Sequence, residues 1–227
     1  MKTVDLNVDV GEGVAFDLDL LDLATSANVC CGEHAGSPDL SRKTVEACNA
    51  LGVAVGAHPG VPDREHMGRA PLPDDFERCA LTDDLVRQVG FLKSLGARYI
   101  KPHGELYNAS AVRSDVAEVL TVLLKESGLP LLGLAGTLHT QCAREAGVSF
   151  FSEGFADRAY SRDGTLVPRS EPGSVYCEPS LAAVQALELA ERVDSLCVHS
   201  DTPGAYELLM AVKVALESDE FRVAPCV

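Results

Sequence analysis

The sequence predicts an α/β fold, a barrel of about seven strand–helix units forming a single domain over residues 1–227. Three observations carry this. Short apolar runs alternate with longer amphipathic stretches. Glycines close the helical stretches immediately before the next apolar run. Histidines or carboxylates followed by a glycine or proline turn recur at the ends of those runs, at Asp9 to Glu12, His34 to Gly36, His58 to Gly60, His103-Gly104 and His199 to Asp201. Reactive side chains of such barrels sit at the C-terminal ends of the strands. A flat doubly wound sheet would gather them at one switch point instead.

The first strand is set by its period of two: Val4, Leu6, Val8 and Val10 alternate with Asp5, Asn7 and Asp9. In a first barrel strand the polar face points inward, where burial is costly unless each group is hydrogen-bonded or liganded. Gly11-Glu12-Gly13 opens a glycine pattern, but Phe16 stands at the third glycine, so a dinucleotide fingerprint is excluded. Leu18 to Leu23 predicts a helical turn, and Ala27 to Cys31 a second strand ending toward His34. Ser37-Pro38 starts a helix, the serine as cap and the proline in the first turn. That helix stops at Gly52, before a third strand from Val53 to Ala57 that ends at His58.

The unit then repeats. Helices over 85–95, 116–126 and 138–146 end at Gly96, Gly128 and Gly147 and feed strands over 99–101, 131–134 and 148–151. A helix over 181–193 precedes the strand Ser195 to Val198, and a last helix runs over 205–216. Two stretches break the rhythm. Residues 59–75 contain four prolines with Gly68-Arg69, and residues 155–173 hold Asp157, Arg158, Tyr160, Asp163-Gly164 and Arg169. Loops of this length in a compact domain are usually functional and are expected to cover the mouth.

The 19 basic and 34 acidic residues give a formal charge of −15, which excludes nucleic acid and anionic membrane as partners for want of a basic footprint. An anionic ligand would need specific local cations, for which Lys101 and Arg158 are the candidates. Eight cysteines show no CxxC pair or zinc-ligand ladder, the N-terminus lacks the apolar segment of a signal peptide, and no apolar run is long enough to span a bilayer. A reduced cytoplasm is the expected compartment.

Four histidines (His34, His58, His103 and His199) with Asp9, Glu12, Glu153 and Asp201 are expected near one mouth. A carboxylate beside an imidazole supplies the pair of unequal proton affinities that acid–base work needs. Lys101 is suited to hold a carboxylate or phosphate, or to stabilise an oxyanion. There is no G-x-S-x-G elbow, no HExxH and no Gly-Lys dipeptide, so any ATP is expected to be handled by another chain.

At this point the chain resembles a known family. DLNVDVGE at 5–12, TSANVCCGEHAG at 25–36, VGAHPG at 55–60, KPHGELYN at 101–108, FADRAY at 155–160 with LVPR at 166–169, and HSDTPGA at 199–205 look like the LamB/YcsF family, in order and across nearly the whole chain. The resemblance implies a barrel of the glycoside hydrolase/deacetylase type. It also implies ATP-dependent opening of 5-oxoproline to L-glutamate, with B and C subunits supplying the ATP-dependent step. By motif, it implies roles for Asp9, Glu12, His34, His58, Lys101 and His103 in catalysis, and for Asp157, Arg158, His199 and Asp201 in binding substrate. Asn7 and Glu153 join the binding set by position.

Either Asp9 or His58 is expected to direct water at the activated carbonyl, with Lys101, His103 and Arg158 holding substrate anions. The sequence departs from the family pattern in three places. Glu33 stands where an aromatic residue is expected, Ser200 replaces a glycine, and the Gly13 to Asp22 segment is short. Glu33 is a candidate to alter His34 or to join a metal site. Two further readings remain: a stand-alone amidohydrolase or deacetylase with a divalent metal on Asp9, His34 and His58, and a non-catalytic component that only binds or organises its partners as a scaffold. Self-association is left open.

Overall fold

The computed structural model describes residues 2–15, 17–162 and 164–227; Phe16 and Asp163, noted above for the glycine pattern and the second loop, lie outside them. The chain runs as β1 (Thr3–Val10), a 3-10 turn (Asp17–Asp22), β2 (Ser26–Cys30), α1 (Pro38–Leu51), β3 (Ala54–His58), α2 (Arg78–Ser94), β4 (Tyr99–Ile100), α3 (Gly104–Val112), α4 (Ser114–Ser127), β5 (Leu131–Gly133), α5 (Leu138–Ala146), β6 (Phe150–Phe155), α6 (Pro179–Ala190), β7 (Ser195–His199), α7 (Ala205–Ser218) and β8 (Arg222–Val223).

Every pairing between these strands is parallel, and β1 is bonded to both β2 and β7, so the first seven strands close into a barrel. The short β8 adds to Thr3 and Val4, at the end of β1 opposite the polar strand ends. The alternation in β1 sorts its residues as its period requires. Val4, Leu6, Val8 and Val10 join the apolar layer between sheet and helices, while Asp5, Asn7 and Asp9 are buried inside the barrel. The cap chemistry also holds, since Ser37 Oγ accepts from the Leu40 amide and Gly52, Gly128 and Gly147 close α1, α4 and α5 in the left-handed conformation that glycine adopts without a Cβ penalty.

Three boundaries differ from those the sequence predicts. Helix α2 starts at Arg78 rather than Leu85. The nine-residue α3 follows His103 directly, where no helix is predicted, and has almost no apolar stripe to reveal it because it packs between the mouth and α4. Strand β6 extends to Phe155, so Glu153 belongs to a strand and points into the barrel, where a strand's polar residue looks like a loop residue in sequence.

Candidate active site

The barrel interior is polar from bottom to top, and its groups are satisfied in layers. At the bottom, Asp5 accepts from Thr25 (2.6 Å), Ser26 (2.7 Å) and Ser195 (2.5 Å), and burial still pushes its carboxyl above the ordinary range. Above it, Asn28 Nδ2 donates to Asn7 Oδ1 (2.7 Å) and Asp9 Oδ1 (2.8 Å), and Asn28 Oδ1 accepts from the Tyr99 hydroxyl (2.8 Å).

Lys101 leaves the end of β4 and turns inward, fully buried. Its Nζ lies 2.8 Å from Asp9 Oδ1, 2.9 Å from Glu153 Oε1 and 3.0 Å from Cys197 Sγ. Burial pulls the ammonium down, but Asp9, Cys197 and Glu153 outweigh it and hold it well above the ordinary lysine range. For Asp9, burial raises the carboxyl, yet His58 and Lys101 together hold it well below the usual carboxylate range. Glu153 is raised by burial, with Lys101 opposing. This is one buried ammonium between two carboxylates, which pins the floor of the site.

Beside it, three histidines and a glutamate converge. The rings of His34 and His103 stack with centroids 3.9 Å apart, and His58 stands edge-on to both. Glu12 Oε1 lies 3.4 Å from His103 Nδ1, 3.6 Å from His34 Nε2 and 3.9 Å from His58 Nε2. The far nitrogens are tied to the backbone, His58 Nδ1 to the Lys101 carbonyl (2.7 Å) and His103 Nε2 to the Met67 carbonyl (2.8 Å). Burial, with His34 and His58 adding to it, pulls His103 well below the ordinary imidazole range. Gly60 backs His34 so closely that a Cβ there would lie 2.6 Å from the ring. Cys30 Sγ sits 3.3 Å from His34 Nε2 and donates to the Ala35 carbonyl; burial pushes this thiol up to about 12, which makes it a packed structural group.

The third part is the wall. Asp157, fully buried, is hydrogen-bonded to His199 Nδ1 (3.0 Å) and accepts from the Thr202 hydroxyl (2.6 Å) and the His199 amide (3.2 Å). Burial raises the Asp157 carboxyl, but His199 and Thr202 turn the balance and lower it. The His199 ring stacks on Phe155, fixing its plane.

These parts meet in a cavity of about 640 Å³ whose lining includes Asp9, His58, Lys101, His103 and His199 below and Arg69, Arg158 and Arg169 above. Arg69 and Arg169 come from the two long loops and converge on Asp201, at 2.7 and 3.2 Å. Arg158 is anchored by the Ser174 and Val167 carbonyls, and burial pulls its guanidinium down to about 10. In a chain of net charge −15, three arginines at one mouth form a local anion-attracting patch.

The structure therefore brings Asp9, Glu12, His34, His58, Lys101 and His103 together at the floor. Asp157, Arg158, His199 and Asp201 stand at the wall and rim. Asn7 and Glu153 lie below Lys101 and do not line the cavity. Glu33 turns away from His34 and accepts from Arg87 of α2 at 2.8 Å, so it is not part of the histidine group. Arg69 and Arg169 are rim residues that the sequence does not single out as site residues; the signal available was two arginines in loops long enough to reach one mouth.

Two groups of side chains have metal-ligand geometry, Glu12 with His34, His58 and His103, and Asp9 with Cys197 and His199. The second already surrounds a cation, because Lys101 Nζ contacts both Asp9 and Cys197.

Comparison with known proteins agrees with this architecture. A relative from Methylococcus capsulatus, named as the A subunit of 5-oxoprolinase, is 37% identical over 249 residues, covering 98% of this chain and 95% of that one. One of the same name from Thermus thermophilus is 40% identical, covering 94% of this chain and 96% of its own. The crystal structure of a "Lactam Utilization Protein" from Thermus thermophilus superposes with a TM-score of 0.87 at 36% identity, over 99% of both chains. The LamB/YcsF family model matches residues 4–227, so the barrel and its converging motifs are those of a family, and the chain belongs to the LamB/YcsF family.

Proposed function

We propose that this chain is the A component of an ATP-dependent 5-oxoprolinase that opens 5-oxoproline to L-glutamate together with B and C subunits. Its relatives bear that name. The single observation that carries the reading is the cavity itself: a buried acid–base floor beneath three arginines suits a small substrate that carries a carboxylate and, once activated, a phosphoryl group.

A five-membered lactam is a poor electrophile, and phosphorylation of its amide oxygen by ATP on the partner subunits makes the ring carbon attackable. Water then adds to that carbon and loses a proton, the ring C–N bond breaks, and the departing nitrogen takes up a proton. Release of the phosphoryl group as inorganic phosphate completes glutamate.

The side chain best placed to accept the water proton is His199. Its Nδ1 is held by buried Asp157, which fixes the ring and stabilises the imidazolium, and Nε2 is left for the cavity. Asp9 and His58 are more committed. Asp9 Oδ1 is taken by Lys101 and Asn28, and His58 is bound to the Lys101 carbonyl and faces Glu12 and His103. Arg158 and the Arg69/Arg169 pair hold the substrate anions, while Lys101 keeps the floor carboxylates ionised and aligned.

The test is L-glutamate formation from 5-oxoproline and ATP by the purified chain alone and with its B and C subunits. Activity is expected only in the complex, and His199→Asn in the complex lowers kcat about 10²- to 10⁴-fold. Turnover by the chain alone without ATP, or a complex indifferent to His199→Asn, overturns the reading.

A further inference from the structure

The histidine cluster poses a problem of proton bookkeeping that its geometry answers. A carbonyl oxygen only accepts, so the 2.7 Å contact from His58 Nδ1 to the Lys101 carbonyl places a proton on Nδ1. By the same rule the 2.8 Å contact from His103 Nε2 to the Met67 carbonyl places a proton on Nε2. In neutral rings the two remaining nitrogens, His58 Nε2 and His103 Nδ1, then carry lone pairs, and they face each other at 2.9 Å. Two acceptors do not approach to that distance without a positive centre between or beside them.

Glu12 Oε1 adds a third acceptor 3.4 Å from His103 Nδ1 and 3.9 Å from His58 Nε2, and His34 Nε2 lies 3.6 Å from Glu12. The four residues are buried, and one donor atom from each falls within 4.8 Å of all the others.

We infer that Glu12, His34, His58 and His103 form a binding site for a divalent ion of the zinc class. The distances fit. Four ligands about 2.0–2.1 Å from a tetrahedral ion stand about 3.3–3.4 Å apart, and the four donor–donor distances on the page, 2.9, 3.4, 3.6 and 3.9 Å, straddle that value. A single proton shared by His58 and His103 would answer one contact and would not account for the approach of Glu12 and His34 to the same point. An ion accounts for all four. Imidazole and carboxylate donors favour zinc, cobalt, iron or nickel over calcium or magnesium.

The backbone carbonyls of Lys101 and Met67 act as the outer partners that fix which nitrogen each ring presents. Asp9 stays out of the ligand set because Lys101 and Asn28 hold its Oδ1. His58 and His103 line the cavity floor, so such an ion borders the substrate space; when bound, it supplies Lewis-acid polarisation of an oxygen there.

The inference rests on this chain's geometry and is independent of the oxoprolinase reading, and its test contains no substrate. The full chain, dialysed against chelator and then free buffer, is titrated with Co²⁺. The readouts are the visible ligand-field spectrum and metal content per chain. About one ion per chain with the intense bands of a four-coordinate histidine-rich site is expected. Glu12→Gln and His103→Ala each weaken cobalt binding at least about tenfold, with far-ultraviolet circular dichroism verifying the fold. If one of these variants fails to fold, the other carries the comparison. A folded parent chain that takes up less than about a tenth of an ion, or variants that bind cobalt as the parent does, overturns the site; the His58–His103 contact then belongs to a shared proton.

Discussion

Replacing Lys101 by methionine tests the central claim about the floor. Methionine keeps most of the stem and removes the charge, leaving Asp9 and Glu153, 2.8 and 2.9 Å from the former ammonium, as buried carboxylates without their cation. Removing one partner of a buried pair typically costs about 3–5 kcal/mol. The structure gives an independent figure, because the cheapest relief is to protonate Glu153, whose carboxyl is already raised by burial. From an unfolded pKa near 4.5, holding one proton at pH 7 costs about 2.5 × 1.36, or about 3.4 kcal/mol.

The two figures agree and predict a melting temperature about 6–20 °C lower. The sign of the pH dependence is also fixed. In the variant the folded-state pKa of Glu153 lies above its unfolded value, so that residue's contribution is retained at low pH and lost as pH rises. The gap between parent and variant therefore narrows by about 2–3 kcal/mol between pH 7 and pH 5. Denaturant unfolding at both pH values measures it, and Lys101→Met with Glu153→Gln recovers part of the loss. A variant melting within about 2 °C of the parent at pH 7, or an equal gap at both pH values, refutes the reasoning.

Two further outcomes are expected. His139 is fully buried, bonded to the Leu134 amide and Ser110, and burial pulls its ring to about 4, so the unfolded chain takes a proton first as pH falls below about 6.5. Between pH 6.5 and 5 the parent loses about 2 kcal/mol more than His139→Gln does, measured by urea unfolding; parallel slopes refute this. In the reconstituted complex, Arg69→Gln and Arg169→Gln each raise KM about 10- to 100-fold with a smaller change in kcat, the worth of one charged hydrogen bond to substrate; an unchanged KM removes both from the binding rim.

Much of this was legible in the sequence because it is written locally. The alternation of Val4 to Val10, the serine cap at Ser37 and the glycines after α1, α4 and α5 depend only on neighbours in the chain. The strand-end histidines were legible for the same reason, since a strand that ends in His-Pro-Gly or His-Gly marks its own mouth. What escaped depends on distant partners. Glu153 reads as a loop residue until Lys101, from another strand, meets it inside the barrel. Arg69 and Arg169 gain their place only through Asp201, 132 and 32 residues away. The tautomers of His58 and His103 are set by two backbone carbonyls, which no side-chain pattern records.

The pairing of β1 also bears on how the protein is made. Strand β1 carries Asp5, Asn7 and Asp9, yet its second edge pairs with Ser195 to His199 and its first residues with Arg222 and Val223. On the ribosome β1 emerges before β7, so that edge stays open while the whole intervening chain is synthesised. Contacts across such long separations close slowly, and an unpaired strand edge is a template for wrong pairing in the interval. The inward carboxylates that later organise the floor protect against this, because charged side chains on an open edge disfavour edge-to-edge association. The same residues thus guard the nascent chain before they serve the finished barrel.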